Sequence, residues 1–420
     1  MKKFTKLTST LVVVAALGAV TAVPVLAAVQ PDMQKIEARK ARKTQVPGER
    51  VGKILVKAYE LYNEEKVDEA IKVLIDAKAS NDFDVASINR FIGNLSATKD
   101  EVQAIRYLKL AVEPDILSFA DQAAALKLLA DLQLQNRQFQ ESIKAYEDWL
   151  HFTGEQNAEV YMRIANAYYL MDQHAKVVPA ADDAIRFAGK PIEGPYQLKM
   201  AALYELRRYK ELIEHVETMV QLFPENKQFW VYLGNFYTLT EDYSKSLSVL
   251  SMAYSQGYLE KDSEVRMLAQ MYANNNIPYK AAAIMEKHVK SGLVKRDKNN
   301  LTFVASNYQA AREFVKAAEY YGELAKLTNE ADAYRRQGSA YLSVQRYDDA
   351  IKAFDSSLKI DAKDAGRIHM NLVEAYFYQR KYREAYTALQ NAKKDPATAR
   401  QTQSWESYIR EKARHRGITL

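Results

Sequence analysis

Apolar and small residues recur along this chain in pairs of amphipathic segments. Within a segment the apolar positions step by three or four residues, as at Leu233 and Tyr237, which is the period of an amphipathic α-helix. The stretch WVYLGNFYTLTEDYSKSL, from Trp230, has nearly the same skeleton as YRRQGSAYLSVQRYDDAI, from Tyr334. The pattern therefore predicts an all-α chain built from repeated helix–turn–helix units.

One position in the second helix of each unit fixes the repeat length. The spacing between successive copies is 33 to 38 residues, and the copies are Ala70, Ala104, Ser142, Val177, Leu212, Ser246, Ala281, Ala317, Ala350 and Ala385. Twelve residues earlier lies a mostly small position of the first helix, clearest at Ala58, Ala130, Ala165, Gly234, Ala269, Ala305 and Gly338. Three residues before the first position a bulky ring recurs, at Phe139, Tyr209, Tyr243, Phe314, Tyr347 and Tyr382. Small residues let the two helices approach closely, and stacking of such pairs buries a continuous core.

Several segments depart from the regular spacing. The longest spacing, between Ala104 and Ser142, predicts a longer connection near residues 113–118. Pro179 and Pro278 fall inside or at the start of second helices, where we expect a kink or a shift. Residues 399–414 have the pattern of a polar capping helix, which a stack of repeats needs for solubility.

The motifs WVYLGNFY…DYSKS and YRRQGSAY…RYDDAI, with their rhythm of about 34 residues, resemble the tetratricopeptide repeat family. The resemblance covers about 51–397. It implies a right-handed superhelical solenoid of about ten helix–turn–helix units, followed by a capping helix and tail in 398–420.

A narrower resemblance lies in residues 253–293, together with QVPGERVGK near the N-terminus. These stretches are similar to periplasmic tetratricopeptide repeat proteins that are encoded beside TonB–ExbB–ExbD energy-coupling genes. The resemblance implies an accessory role in outer-membrane transport, with TonB, ExbB, ExbD or an outer-membrane receptor as partners.

The first 27 residues have the pattern of a cleaved signal peptide. A basic start, MKKFTK, precedes the mostly apolar run 11–23, and Val25 and Ala27 suit the −3 and −1 positions of signal peptidase. We therefore predict export to the periplasm with cleavage after Ala27; an uncleaved inner-membrane anchor is the alternative. The chain has no cysteine, which excludes disulfides and thiolate chemistry.

The basic charge is concentrated outside the repeats. Of the net charge of +6, three charges come from Lys2, Lys3 and Lys6. Segment 28–50 has six basic and three acidic residues and supplies the rest, so residues 51–420 are neutral overall. A neutral body argues against nucleic-acid binding. We expect segment 28–50 to be a basic arm, a flexible or partly helical tether that contacts anionic lipid weakly or meets an acidic partner.

No motif for catalysis or ligand chemistry is present. The six histidines have no partner at metal-ligand spacing, and no glycine-rich phosphate loop or nucleophile elbow occurs. We therefore predict no catalytic residues, no cofactor, no metal site and no enzyme activity.

Polar residues do mark the face of the first helices. In peptide-binding members of the resembled family, asparagine, lysine and arginine at two positions of this face hold the ligand. The candidate protein- or peptide-binding residues are Lys127, Asp131, Asn166, Tyr169, Tyr204, Asn235, Arg266, Gln270, Arg335, Ser339, Glu374 and Tyr378. The simpler alternative is a solvated inner surface. The sequence thus predicts a periplasmic interaction scaffold of a TonB-dependent system; a scaffold for secretion, pilus or peptidoglycan assembly is the other interpretation.

Overall fold

All regular secondary structure in the described part of the chain is helical. The computed structural model describes residues 31–43, 45–360 and 363–420, and these contain 22 α-helices and no strand. The helices are α1 (Met33–Lys40), α2 (Glu49–Asn63), α3 (Val67–Ile75), α4 (Asp82–Ser96), α5 (Glu101–Val112), α6 (Phe119–Gln135), α7 (Phe139–Thr153), α8 (Ala158–Leu170), α9 (His174–Phe187), α10 (Glu193–Glu205), α11 (Tyr209–Leu222), α12 (Lys227–Leu239), α13 (Tyr243–Ser255), α14 (Asp262–Asn274), α15 (Pro278–Ser291), α16 (Lys298–Ala310), α17 (Phe314–Thr328), α18 (Ala331–Ser343), α19 (Tyr347–Leu358), α20 (Ala365–Tyr378), α21 (Tyr382–Ala392) and α22 (Ala399–Arg414). The all-α prediction is confirmed. The proposed signal peptide lies outside the described residues.

The chain divides into two compact units. Unit 1 ends at His215 and unit 2 begins at Val216, so the division falls within α11. In each unit, consecutive helices pack as hairpins, such as α6 with α7, α8 with α9, and α18 with α19. The rings predicted before each anchor are the first residues of α7, α11, α13, α17, α19 and α21.

The turns inside the hairpins share one backbone device. In most of them a residue other than glycine adopts a left-handed conformation, with φ between 56° and 64°; these residues are Glu65, Arg137, Asp172, Arg207, Glu241, Asn276, Arg312, Gln345 and Arg380. The amides of this residue and of the next one bond back to the first helix, as in Glu241 N–H to the Thr238 carbonyl (3.1 Å) and Asp242 N–H to the Tyr237 carbonyl (2.9 Å). This double closure satisfies carbonyls at the helix end and reverses the chain within three residues.

The small positions mark close helix crossings. A Cβ built on Gly234 would lie 2.5 Å from Leu250 Cδ2, and one on Gly338 would lie 2.6 Å from the Phe354 ring. Where serine replaces the usual alanine in the second helix, its hydroxyl donates to the facing backbone. Ser246 Oγ bonds to the Gly234 carbonyl at 2.9 Å. A buried serine is therefore accommodated because its hydroxyl has an acceptor in the facing helix.

The hairpin of α4 and α5 departs from the pattern. Its close contact is Gly93 against Leu108, one residue later than the repeat spacing predicts. Its turn, residues 97–100, has no left-handed residue. The connection that follows runs over residues 113–118, as the long spacing predicts. Pro278 is the first residue of α15, whereas Pro179 lies inside α9.

Part of the basic arm is helical and packs against unit 1. Residues 33–40 form α1, and Ile36 in its middle is 1% exposed. Arg39 and Arg42 pair with Asp115 in unit 1. Of the two expected states, flexible or partly helical, the helical one agrees with the structure of these residues. The sequence did not predict that one buried isoleucine and two paired arginines hold them against the body of unit 1.

The last helix covers the end of unit 2. Helix α22 packs on α21, with Ile409 and Ala413 buried and Trp405 and Tyr408 against Phe377. Its remaining surface is polar. Among the helices described here, none combines the length and the apolar character that a membrane crossing requires.

Candidate functional site

The first helices of three successive hairpins in unit 1 line an open depression of about 520 Å³. Helix α6 contributes Leu134, helix α8 runs along its centre, and helix α10 forms the far wall. The lining residues are Leu134, Met162, Arg163, Asn166, Tyr169, Gly194, Gln197, Leu198 and Ala201. Two of the predicted binding residues, Asn166 and Tyr169, are therefore in this depression.

Asn166 offers an unused amide at the centre of the depression. Its side chain is half-buried, and within the described residues it has no hydrogen-bond partner. Tyr169 lies one turn further along α8, and its ring packs against His174 at 5.3 Å. Leu134, Met162 and Leu198 give the depression apolar walls. An amide that can both donate and accept thus lies among apolar side chains.

Gly194 shapes the far wall of the depression. A Cβ at this position would lie 2.9 Å from the sulfur of Met162. The absence of a side chain at 194 therefore lets α10 approach Met162 of α8 closely.

Ion pairs occupy the neighbouring surface between α6 and α8. Lys127 Nζ lies 3.2 Å from Glu159 Oε2, and Arg163 lies 2.8 Å from Glu159 and 3.3 Å from Asp131. Hydrogen bonds from Arg163 and Lys127 hold the pKa of Glu159 below its usual value. This inner-face network, made of Lys127, Asp131, Glu159 and Arg163, is neutral overall and partly exposed, so it contributes little to stability.

Asp131 is also tied to the core by Tyr146. The Tyr146 hydroxyl donates to Asp131 Oδ1, and the Tyr146 side chain is fully buried. Burial and this hydrogen bond raise the pKa of Tyr146. Asp131 is thus a structural acceptor for α7 as well as a candidate surface residue.

Tyr204 is the remaining candidate in unit 1. It lies near the end of α10, one turn after Ala201, and is 46% exposed. Its ring packs edge-on against Tyr209 at 6.5 Å. The structure does not include Tyr204 in the lining of the depression.

The other candidates lie in unit 2 on the corresponding first helices. They are Asn235 on α12, Arg266 and Gln270 on α14, Arg335 and Ser339 on α18, and Glu374 and Tyr378 on α20. Asn235 is exposed, and the part of the chain that the structure describes offers it no hydrogen-bond partner.

The basic candidates of unit 2 have acidic partners within their own helices. Arg266 pairs with Asp262 at 3.0 Å, and Arg335 pairs with Asp332 at 2.5 Å. With Lys127 bound to Glu159, each of the three cations that the sequence singled out already has a carboxylate partner. Tyr378 stacks on Tyr347, with ring centres 5.9 Å apart.

Sequence reasoning missed Arg163 and Glu159. Arg163 lies one residue after Met162, the residue that corresponds to Lys127 in the next repeat, so the repeat pattern does not single it out. The separations carried a signal: Lys127 and Glu159 are 32 residues apart, as are Lys298 and Glu330, close to one repeat. Opposite charges at nearly the repeat length thus indicate ion pairs between successive hairpins.

The described residues show no arrangement for metal binding. Across residues 31–43, 45–360 and 363–420, no cluster of three or more histidine, aspartate or glutamate side chains could hold a metal ion.

Residues 305–365 match the model of the tetratricopeptide repeat family. The matched segment begins at Ala305, in the second half of α16, and includes all of α17, α18 and α19. The match places the tetratricopeptide repeat pattern in residues 305–365, which lie within unit 2. No curated protein is significantly similar to the chain.

Solved structures give only weak overall matches. The TPR2AB domain of yeast Sti1, solved in complex with an Hsp90 peptide, is 18% identical, with 61% of this chain and 99% of that chain covered and a TM-score of 0.36. YrrB, described as a TPR protein with an unusual peptide-binding site, is 16% identical, with 48% and 98% covered and a TM-score of 0.34. The C-terminal part of a TPR protein from Cytophaga hutchinsonii is 14% identical, with 66% and 97% covered and a TM-score of 0.37. Similarity at this level places no ligand on the chain.

Proposed function

We propose that the chain is a protein-interaction scaffold and that the depression on α6, α8 and α10 binds an extended segment of a partner protein. A peptide in an extended conformation presents free N–H and C=O groups. The Asn166 amide can bond to both, while Leu134, Met162 and Leu198 receive an apolar side chain. Stacked helical repeats commonly use such surfaces for binding.

The proposal rests mainly on the side-chain amide of Asn166, which has no hydrogen-bond partner among the described residues. The neighbouring cations, Lys127 and Arg163, already have carboxylate partners. A terminal carboxylate would have to displace Glu159 or Asp131 to reach Lys127 or Arg163. Breaking such pairs costs part of the binding energy. The surface therefore favours recognition of the peptide backbone over capture of a terminal carboxylate.

In-cell photo-crosslinking tests the binding surface. A photoreactive residue at Gln197, exposed on the depression, should capture the partner, while the same residue at Lys210, exposed on α11, should not. Asn166→Ala should then weaken binding of the captured partner about tenfold, the cost of one or two lost hydrogen bonds. Asn299→Ala, at an exposed site in α16, is the matched control and should change nothing.

The proposal fails if adducts form at Lys210 and not at Gln197, or if Asn166→Ala keeps full affinity for the captured partner. Preserved circular dichroism of the Asn166 variant would establish that its loss of binding is local.

We further propose that this binding takes place in the periplasm, as an accessory part of a TonB-dependent transport system. The signal-peptide pattern of residues 1–27 supports export, and the resemblance of 253–293 supports the TonB association. Export predicts a mature chain that begins at Ala28, which mass spectrometry of the native protein would detect. Capture of TonB, ExbD or an outer-membrane receptor would support the proposed system, whereas capture of secretion or cell-wall proteins would refute it.

A further inference from the structure

Helix α1 packs against the surface of unit 1 through one apolar side chain and two arginines. Ile36 is 1% exposed and meets Gly154, whose φ is 71°. A Cβ at Gly154 would lie 2.5 Å from Ile36 Cδ1. Glycine at this position therefore both permits the left-handed end of α7 and leaves space for the isoleucine.

The polar half of the site consists of acceptors only. Arg42 donates to the Asp115 carbonyl at 2.5 Å, to the Leu117 carbonyl at 3.2 Å and to Asp115 Oδ1 at 3.3 Å. Arg39 donates to the His151 carbonyl and to Asp115 Oδ2, each at 3.4 Å. Three backbone carbonyls and one carboxylate thus converge on two guanidinium groups.

Aromatic faces complete the site. The Arg39 guanidinium lies 4.7 Å from the centre of the Phe152 ring, and Lys40 Nζ lies 5.9 Å from that of Phe119. The His151 carbonyl is at the C-terminal end of α7, where the helix dipole favours cations. The α1 site, defined as Asp115, Leu117, Phe119, His151, Phe152 and Gly154, is therefore suited to a cation-bearing partner.

The bound helix has a simple pattern. Ile36, Arg39 and Arg42 are spaced by three residues, which puts them on one side of a short helix and the turn that follows it. A helix of eight residues is not stable alone in water, so the helical conformation of α1 depends on its contacts with unit 1. What the site recognises is Ile-x-x-Arg-x-x-Arg in helical form.

We propose that the α1 site is a receptor for short basic helices of the form Ile-x-x-Arg-x-x-Arg, which α1 occupies in the resting chain. A partner protein that presents such a helix binds only by displacing α1. The helix is thus an autoinhibitory occupant, on a surface separate from the depression lined by Asn166.

The contacts that hold α1 in the α1 site are weak enough for another helix to displace it. One apolar side chain is buried, and the Arg39 and Arg42 side chains remain 25% and 26% exposed while Asp115 is 40% exposed. Partly exposed ion pairs are modest in strength and are weakened by salt. Docking of α1 in the same chain is sustained by the high effective concentration that its short link to α2 provides.

Binding of a helical peptide to the full-length chain tests the proposal. The probe is a fluorescent peptide with the sequence of residues 31–43, carrying a lactam bridge between Glu37 and a lysine in place of Ala41, both exposed positions. Ile36→Asp in the full chain removes the apolar contact of α1 and vacates the site. The peptide should bind this variant at least about tenfold more tightly than the wild type, whose site is occupied.

Two further variants separate the site from general effects. Arg39→Gln with Arg42→Gln vacates the site by another route and should also expose it. Adding Asp115→Asn to Ile36→Asp should weaken peptide binding at least about fivefold, whereas Glu113→Gln, an exposed acid of the same connection, should leave it unchanged. Hydrogen exchange of α6 and α7 verifies that the vacated chains stay folded.

Equal binding to the wild type and to both vacated variants would overturn the proposal, and so would absence of binding to every chain. An affinity that Asp115→Asn leaves unchanged would also overturn it, because the carboxylate would then take no part in recognition of the arginines.

Discussion

The close crossing of α12 and α13 in unit 2 gives a sharp test of how the repeats are built. Gly234 of α12 faces Leu250 of α13, and Leu250 is fully buried. We predict that Gly234→Ala destabilises this hairpin, although alanine is the better helix former. The contacts of the added methyl group determine whether the substitution raises or lowers the free energy of unfolding.

The magnitude follows from two opposed effects. The new Cβ would lie 2.5 Å from Leu250 Cδ2 and 2.6 Å from Cγ, so the whole leucine side chain has to move. Overpacking of a buried position costs about 2–3 kcal/mol in such a case. Alanine returns about 1 kcal/mol of helix propensity. The free energy of unfolding of the hairpin should therefore fall by about 1–2 kcal/mol.

Urea unfolding measured by Trp230 fluorescence reports on this hairpin. Trp230 lies on α12, and its indole N–H donates to the Pro224 carbonyl at 2.9 Å. The other tryptophans, Trp149 and Trp405, are replaced by phenylalanine in the reference chain. A local probe is needed because repeat arrays can unfold in stages.

A second glycine serves as the matched control. In α2, a Cβ on Gly52 would have the Pro47 carbonyl oxygen, 4.0 Å away, as its nearest neighbour. Gly52→Ala should therefore stabilise α2 by about 0.5–1 kcal/mol, as measured by hydrogen exchange. In a Leu250→Ala background, Gly234→Ala should also become neutral or stabilising. An unchanged loss in that background, or no loss in the wild type, would refute the steric explanation.

Two further predictions concern unit 1. Burial lowers the pKa of His215 below its ordinary 6.5, and its Nε2–H donates to the Tyr196 carbonyl at 2.9 Å. Above about pH 6.5 His215 is neutral in both the folded and the unfolded chain, and the stability that the neutral side chain supports is fully present. As the pH falls below that value, His215 is protonated in the unfolded chain but stays neutral in the folded chain, so the free energy of unfolding decreases. The free energy of unfolding should therefore drop more between about pH 7.5 and about pH 5 for the wild type than for His215→Gln. Arg137 adopts φ 60°, so Arg137→Gly should raise the free energy of unfolding by about 0.5–1 kcal/mol. The control Arg106→Gly, in the middle of α5, should lower it by about 1 kcal/mol. Equal shifts of the thermal midpoint in the two variants would contradict this reasoning.

The helical hairpins were predictable because each depends on local chemistry. Ser246 and Gly234, twelve residues apart, meet across one hairpin, and the ring of Tyr243 begins its second helix. Such contacts reach only a short distance along the sequence. Periodicity therefore indicates them without knowledge of the rest of the fold.

The docking of α1 could not be predicted in the same way. Ile36 is the single buried residue of α1, with no apolar stripe around it, and its partner Gly154 is more than a hundred residues away. The acceptors for Arg42 are backbone carbonyls, which leave no signature in the sequence.

The candidate site was predictable in part for the same reason. The repeat pattern selected Asn166 and Tyr169, which line the depression. It did not show that Lys127 would be paired with Glu159, because the pattern gives the face of each helix and not the partner on the next one.

The seating of α1 also determines how the chain responds to a pull at its N-terminal side. Its bonds reach 73 residues along the chain to Asp115 and 112 residues to His151. Tension that enters at α1 therefore passes directly to the end of α7 and bypasses the hairpins α2/α3 and α4/α5. Those hairpins are stretched only after the contacts of Arg39 and Arg42 have broken. Helices α2 to α5, the first four of the repeat array, are therefore protected from tension by α1, which lies outside the array.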